Sequence, residues 1–299
     1  MKTKYFTLAL IAILLSFYTV QAKSKVLLRL NLKKGTTYET TMTTNTLIDQ
    51  EVMGQQMKIT QYMEMVISYH VLDVLSNNNF KMDYTFDKIK LSNLVNGQEI
   101  VMDSDGSQDN PINKVFKDMV GYKIEVEMTP RGKVEQVKGL DQFVQKMAGN
   151  PQITQSMQMF SSDQSFESFI DQTFNYFPEE AVKEGSKWTS SFDLPSLMNM
   201  EIAINFEVAS ITDDDVLLNV ASDIDMNMPI EQSNMKMDMK MTGTQNGTMT
   251  VDTNDGWVRE SNLKQTFDIN MKMINPQTGE DMEIPMKMES TIKMTVDKK

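Results

Sequence analysis

Apolar and polar residues alternate along most of this chain, which is the pattern of antiparallel β-strands with one buried face. The alternation is clearest over residues 216–241, where methionines occupy every second position in two runs and Asp, Asn and Lys fill the gaps. Successive side chains of a strand point to opposite faces, so the methionines of one run share a face. The pattern predicts long strands whose buried positions are largely methionine.

The predicted strands form two meanders. The first covers residues 25–103 and begins with a strand over residues 26–32, and the second covers residues 186–297. Residues 38–48 are rich in threonine and carry few large apolar side chains, so we expect an exposed, edge-like strand there. The two meanders share a pattern but no residue-level repeat.

Between the meanders the hydrophobic period becomes that of a helix. Four apolar stripes lie at helical spacing within residues 110–180, and the first follows a helix-start signal at Pro111. The stripes cover residues 112–119, 140–147, 153–160 and 166–177. A helical segment this short cannot stand alone, so we expect it to pack on the strands.

These elements predict an α+β fold that is mostly β. Strands with one apolar face need a covering layer, and large sheets twist and curl. We therefore expect a large curved antiparallel sheet, or an incomplete β-barrel, with the central helical insert over its concave face. Residues 23–299 would form a single β-rich domain; the alternative is two domains, each a small sheet or sandwich, that meet near the helical segment.

The N-terminus has the features of a secretory signal peptide. Lys2 and Lys4 precede an apolar core, and residues 20–22 (Val-Gln-Ala) are typical of a cleavage site. We expect residues 1–22 to be removed, with no transmembrane segment left, and the chain to be exported as a soluble protein of the periplasm or the extracellular space. The sequence contains no cysteine, which excludes disulfides and a lipid-modified cysteine anchor.

Charge excludes nucleic acid as a partner. The chain has 29 basic and 41 acidic residues, for a net charge of -12. Loss of the two lysines of the signal peptide makes the remainder more acidic still. Nucleic-acid binding needs a basic surface against the phosphates.

Methionine is the most distinctive candidate for function. The 28 methionines fill positions that Ile, Leu and Val fill elsewhere, so core packing explains them most simply, and unbranched thioethers also suit the wall of an adaptable lipid-binding site. Cu(I) binding through Met-x-Met rows is a further alternative. The residues that we predict to line a hydrophobic ligand are Met226, Met228, Met237, Met239, Met271, Met286, Met288, Phe143, Phe166 and Phe169.

Other candidate chemistry is sparse. Asp103, Asp105 and Asp109 have the spacing of oxygen ligands in a calcium loop, but the glycine comes too early for an EF-hand, and a solvated turn before the Pro111 helix explains the same residues. His70 is the sole histidine and lies opposite the apolar side of its strand. No hydrolase, metalloprotease or phosphate-binding motif is present. We predict no catalytic residue and no cofactor.

Several turn motifs indicate a family resemblance. They are Lys34-Gly35-Thr36-Thr37-Tyr38, Val52-Met53-Gly54-Gln55, Gly132-Lys133-Val134, Phe177-Pro178-Glu179 and the segment from Val182 to Trp188. With these, the chain resembles a group of exported bacterial proteins known only as a domain of unknown function, and the resemblance implies no activity. In shape, a half-open sheet with helical cover is similar to periplasmic lipoprotein carriers, which hold acyl chains between sheet and helices.

Two functional hypotheses follow. The first is an exported, non-catalytic protein that binds a hydrophobic small molecule, such as a lipid or an apolar peptide, between the Met-rich sheet and the helices. The second is a structural or envelope-associated protein with a solid core, whose partner is another envelope protein.

Overall fold

A computed structural model describes residues 25–52, 54–107, 111–147, 163–174, 176–194, 200–232, 235–274 and 281–299. The predicted signal peptide and the helical stripe at residues 153–160 lie outside these ranges. In the described ranges no helix is long and apolar enough to cross a membrane.

The described chain is mostly β-structure, as predicted. The strands are β1 (Thr37–Val52), β2 (Gln55–Val74), β3 (Phe80–Val95), β4 (Gln98–Asp103), β5 (Lys123–Met128), β6 (Val134–Lys138), β7 (Lys187–Leu194), β8 (Met200–Ile211), β9 (Asp215–Gln232), β10 (Met235–Asp252), β11 (Val258–Ile274) and β12 (Asp281–Lys298). The helices are α1 (Pro111–Met119), α2 (Leu140–Met147) and α3 (Asp163–Phe174).

All twelve strands belong to one antiparallel sheet that is not closed into a barrel. Its order is β6-β5-β3-β2-β1-β12-β11-β10-β9-β8-β7, and β4 pairs with the part of β3 that β5 leaves free. The two meanders are therefore joined at the centre of the sheet, where the first strand pairs with the last.

That arrangement corrects the expectation of an edge-like strand over residues 38–48. These residues lie in β1, which pairs with β2 over residues 37–52 and with β12 over residues 38–50. Threonine fits this central position because its β-branched side chain suits a pleated, half-buried surface. The ends of the sheet are β6 and β7.

The sheet is strongly curled. Strands lie about 4.8 Å apart, so a flat sheet would separate β6 from β7 by roughly 48 Å. Helix α3 nevertheless contacts both strands, although this helix of 12 residues is only about 18 Å long and, with its side chains, about 10–12 Å wide. The sheet must therefore bend around this helix, which confirms the predicted curved sheet with helical cover.

Aromatic side chains fill the space between the helices and β1–β3. Tyr69 makes edge-to-face contacts with Tyr84, Phe174 and Trp257, and Tyr38 stacks on Trp257 with 4.1 Å between ring centroids. All five side chains are buried. Edge-to-face aromatic pairs add to the free energy gained from burial alone, so this cluster anchors the helices to the sheet.

The segment over residues 26–32 is not the predicted strand. Val26 forms an isolated bridge with Val182, the amide of Leu30 donates to the carbonyl of Pro130, and the amide of Asn31 donates to the carbonyl of Asp255. The alternation does place Leu28, Leu30 and Leu32 in the core. The backbone partners come from three separate loops, so no ladder with a single strand forms.

Candidate functional site

One face of the sheet, here called the inner face, carries the apolar rows. It includes Tyr38, Tyr69 and Val220, and the register of each strand pair keeps the same alternate positions on it from β2 to β9. The opposite face carries charged residues such as Asp268 and Lys287, which are cross-strand neighbours. Among the described residues, the inner face is therefore the side of the sheet on which the apolar rows of the strands lie next to one another.

A cavity of about 330 Å³ lies between the inner face and the end of α3. Its walls include Met65 of β2 and Ile204 of β8, which would lie roughly 29 Å apart in a flat sheet because six strand spacings separate them. The cavity is thus a product of the curl. Its wall is formed by Thr40, Met42, Met65, Ile67, Tyr69, Thr173, Tyr176, Ile204, Phe206, Val220, Gln245, Met249, Ser261, Leu263, Gln265, Ile292 and Met294.

The cavity wall is apolar but incompletely buried. Met42, Met65, Met249 and Met294 come from four different strands, and each is only half-buried. In contrast, the side chains of Val216, Leu218 and Tyr38 are at most 2% exposed. The centre of the inner face therefore holds accessible apolar surface, beside fully packed core.

The described part of the wall carries no full charge near neutral pH. Its titratable side chains are Tyr69 and Tyr176, and burial raises the pKa of both phenols above the ordinary value of tyrosine. The hydroxyl of Tyr176 donates to the carbonyl of Gly256 at 2.8 Å. The site offers apolar contact and neutral hydrogen-bonding groups.

A row of polar side chains crosses the inner face at one side of the cavity. Each residue of this polar row is the cross-strand partner of the next. Three neighbouring pairs are hydrogen-bonded, namely Gln61 to Asn93 at 2.9 Å, Thr46 with Ser290 at 2.9 Å and Gln265 to Gln245 at 2.6 Å. From β3 to β9 the polar row consists of Asn93, Gln61, Thr46, Ser290, Gln265, Gln245 and Ser222.

The predicted ligand-lining residues lie on the two sides of that row. Met226 and Met228 are buried on β9, and Met239 lies between Met228 and Met271 in register. With Met237, Met286 and Met288, these residues form the part of the inner face beyond the polar row. We call it the methionine region.

The predicted phenylalanines lie on the cavity's side of the polar row. Phe166 packs edge-to-face on Tyr84, and Phe143 stacks with Phe86. The side chain of Phe169 lies outside the described part of the structure. The structure therefore does not bring the predicted methionines and phenylalanines together, and none of the other nine predicted side chains is in the wall of the central cavity.

The acidic loop after β4 forms a hydrogen-bonded turn. The amide of Asp105 donates to Asp103 at 2.9 Å, and the second carboxylate oxygen of Asp103 lies 3.4 Å from Lys90. Asp109 lies outside the described residues. Within the described ranges, no group of three or more histidine, aspartate or glutamate side chains is placed to hold a metal ion.

A second, more polar cleft lies where α3 meets the turn before β6. Asp171 accepts a hydrogen bond from the amide of Val134 at 2.7 Å, and Arg131, Lys133 and Ser190 also line this cleft. Burial raises the pKa of Asp171 to about 6. In the described chain, Asp171 is the carboxyl group whose pKa is raised, whereas a hydrogen bond with Lys81 lowers the pKa of Glu125, which lines another cleft.

The profile of a family of unknown function (DUF6263) matches residues 77–258, which is more than half of the chain. The chain belongs to that family. A comparison with curated proteins finds no match. Family membership confirms the resemblance inferred from the turn motifs, and it assigns no activity.

Solved structures show weak similarity. A lipovitellin chain, from a structure of its lipid–protein interactions, matches with a TM-score of 0.44 and 9% identity over 90% of this chain and 26% of that chain. An outer membrane channel from Pseudomonas putida F1 matches with a TM-score of 0.23 and 9% identity over 90% of this chain and 97% of that one. This chain thus spans about a quarter of the lipovitellin chain.

The patterns in the sequence did not predict the cavity wall or the polar row. The signal was a polar residue between two apolar residues of the same inward row. Examples are Gln61 between Ile59 and Met63, Gln265 between Leu263 and Phe267, and Ser290 between Met288 and Ile292. Each looks like a chance interruption until the register sets them side by side.

Proposed function

We propose that this is an exported, non-catalytic protein that binds a hydrophobic small molecule in the central cavity. The observation that carries the proposal is the half-buried apolar wall, to which β1, β2 and β8–β12 all contribute. Large accessible apolar patches mark interaction sites or ligand-binding grooves, and this one lines a concave space within the curled sheet, which favours a bound hydrophobic molecule.

The size of the cavity limits the ligand. A volume of about 330 Å³ lies at the small end of the roughly 300–1,000 Å³ range of ligand sites. It suits one acyl chain or a molecule of similar size. The four methionines of the wall can adapt to such a ligand because their side chains are unbranched and flexible.

The neutral wall supports binding rather than catalysis. A general acid or base needs a pKa near the working pH, and the two phenols of the wall have raised pKa values. Asp171, whose pKa is raised to about 6, lines the other cleft.

Export is the part of the proposal that rests on the N-terminal sequence. Fractionation of cells that express the full chain should place the protein outside the cytoplasm, and N-terminal sequencing should find Lys23 as its first residue. A full-length protein in the cytoplasm would contradict export without affecting the ligand-binding proposal.

Ligand binding is tested by extraction and by a variant that fills the cavity. We expect organic extraction of the purified protein, followed by mass spectrometry, to yield a bound lipid, and the extracted protein to bind a fluorescent acyl probe saturably. Met65→Trp places an indole in the cavity wall and should weaken probe binding at least about tenfold, which is the effect of losing about 1.4 kcal/mol.

Met57→Trp is the matched control. Met57 is half-buried on the same strand and the same face, but it lies beyond the polar row and outside the cavity wall. It should leave probe binding unchanged. Absence of extracted lipid together with no saturable binding, or equal effects of the two variants, would contradict the proposal.

A further inference from the structure

On the side that faces the methionine region, the described cavity wall ends in two amide side chains, Gln245 and Gln265, and hydroxyl groups such as that of Ser261 lie elsewhere in the wall. Both side chains belong to the cavity wall and to the polar row. Their neighbours one step further along the strands on the same face, Gly243 and Phe267, are not part of the wall. The glutamine pair therefore marks the boundary of the cavity toward the methionine region.

The pair has hydrogen-bonding capacity to spare. Nε2 of Gln265 donates to Oε1 of Gln245 at 2.6 Å, which leaves the oxygen of Gln265 and the NH₂ group of Gln245 for other partners. If both amides were turned round, the pair would still leave one oxygen and one NH₂ group. The cavity thus ends in one acceptor and one donor, side by side.

Among the described residues that form the cavity wall, none has a charged side chain. A carboxylate, phosphate or ammonium group buried there would lose its hydration without gaining a counter-charge from the described wall, and this disfavours its binding. An uncharged hydroxyl or amide would instead exchange its hydrogen bonds to water for bonds to the glutamines at little net cost.

We propose that the ligand is a neutral amphiphile, with a single apolar chain and an uncharged hydroxyl or amide head group. The head group hydrogen-bonds to Gln245 and Gln265. The chain extends along the inner face between Met65 and Met249 toward Tyr69. This assignment of ligand class rests on the proposed binding function.

The test is competition against the fluorescent acyl probe at pH 7.4, with compounds that share one chain length and differ only in the head group. The long-chain alcohol and the primary amide should displace the probe at concentrations at least about tenfold lower than the carboxylate or the trimethylammonium compound. The neutral head groups gain a hydrogen bond, whereas the charged head groups are left without a counter-charge. The alkane of the same length should fall between them.

The double variant Gln245→Leu/Gln265→Leu should remove the advantage of the alcohol over the alkane. Gln61→Leu/Asn93→Leu is the matched control, because it replaces another hydrogen-bonded amide pair of the same polar row that is outside the cavity wall. It should leave the order of affinities unchanged. Gln265→Glu, which keeps the size of the side chain, should weaken the carboxylate further and strengthen the trimethylammonium compound.

The outcomes separate the two proposals. Saturable probe binding with equal displacement by the alcohol and the carboxylate would overturn the neutral head group and leave hydrophobic binding in place. An unchanged advantage of the alcohol in a folded Gln245→Leu/Gln265→Leu variant would overturn the role of the glutamines. No probe binding at all would overturn both.

Discussion

The hydroxyl groups of Thr46 and Ser290 lie 2.9 Å apart in a buried hydrogen bond, although 244 residues separate them in the chain. Thr46 belongs to the first strand and Ser290 to the last, and they are directly opposite in the register. The bond therefore lies at the junction of the two meanders, in the middle of the polar row. Loss of this bond should therefore lower the stability of the fold.

We predict that Thr46→Val and Ser290→Ala each lower the free energy of unfolding by about 1–2 kcal/mol, because each leaves a buried hydroxyl without its partner. The double variant should lose less than the sum, since neither hydroxyl remains. Urea denaturation of the four proteins gives the coupling energy, which we expect to be about 0.5–1.5 kcal/mol.

The hydroxyls of Thr244 and Thr266 form the control pair. They are cross-strand partners 3.2 Å apart on the opposite, exposed face. The same cycle with valine should give a coupling energy near zero, because water replaces the lost partner. Equal coupling in the two cycles would contradict the view that burial gives the Thr46–Ser290 bond its weight.

A second prediction concerns two buried tyrosines that differ in one hydrogen bond. Tyr84 and Tyr176 are each 1% exposed. The hydroxyl of Tyr176 donates to Gly256, whereas that of Tyr84 has no hydrogen-bond partner within the described part of the protein. Tyr176→Phe should lower the free energy of unfolding by about 1–2 kcal/mol, and Tyr84→Phe should leave it unchanged or raise it by about 1 kcal/mol.

Thermal and urea unfolding measure the change in the free energy of unfolding for each variant. Tyr84→Phe and Tyr176→Phe serve as controls for each other. The substitution removes one oxygen from an equally buried ring in both cases. A loss of stability in Tyr84→Phe as large as that in Tyr176→Phe would show that the hydroxyl of Tyr84 is hydrogen-bonded after all.

Alternation in the sequence predicted most of the strands and the face that each one buries, although residues 26–32 do not form the predicted strand. The row of β9 that contains Val216, Leu218 and Met226 is on the inner face, and the helical periods predicted α1 and α2. Both predictions depend on local spacing alone. The curved sheet followed from the number of one-sided strands.

Pairing between distant strands could not be predicted in the same way. The sequence of β1 predicted an edge-like strand because it is rich in threonine and has few large apolar side chains. Its pairing with β12, a strand distant in sequence, places it at the centre of the sheet. The same reason explains why the sequence patterns did not single out the polar row and the cavity wall. Gln245 and Gln265 form a pair only because they are directly opposite each other in the register of β10 and β11. That register is set by the whole sheet.

A third prediction tests how the N-terminal segment crosses the core. Gly256 has a φ of +72°, and a Cβ atom added there would lie 2.0 Å from the carbonyl oxygen of Arg29. Gly256→Ala should therefore lower the free energy of unfolding by about 3 kcal/mol or more, because it adds a backbone clash to the cost of about 1–2 kcal/mol for a left-handed alanine.

Gly185→Ala is the control for the backbone conformation. Gly185 has a φ of +78°, but nothing lies within 4 Å of its added Cβ. The free energy of unfolding of this variant should fall by only about 1–2 kcal/mol, which is the conformational cost of a left-handed alanine. Similar losses in urea denaturation for the two variants would mean that the segment around Arg29 does not press against Gly256.

The last prediction is a pH dependence that comes from Asp171. Burial is the main cause that raises the pKa of this carboxyl group to about 6, and Glu167 and Glu135 add to it, whereas the hydrogen bond from Val134 and the charge of Lys133 oppose it. The folded protein therefore binds a proton at Asp171 that the unfolded chain has already released between about pH 4 and 6. Stability must fall as the pH rises through that window, and the full cost applies above it.

Asp171→Asn keeps the shape of the protonated side chain and cannot ionise, so it separates this effect from that of the other acids. The melting temperature of the variant minus that of the wild type should rise from pH 4 to about pH 7 and stay level above it. Lys133→Gln removes the nearby positive charge, which should raise the pKa of Asp171 further. When Asp171→Asn is compared with Asp171 in proteins that both carry Lys133→Gln, the rise in the difference of melting temperature should be centred at a higher pH. A difference between Asp171→Asn and wild type that is the same from pH 4 to 8 would show that the carboxyl group ionises as readily in the folded protein as in the unfolded chain.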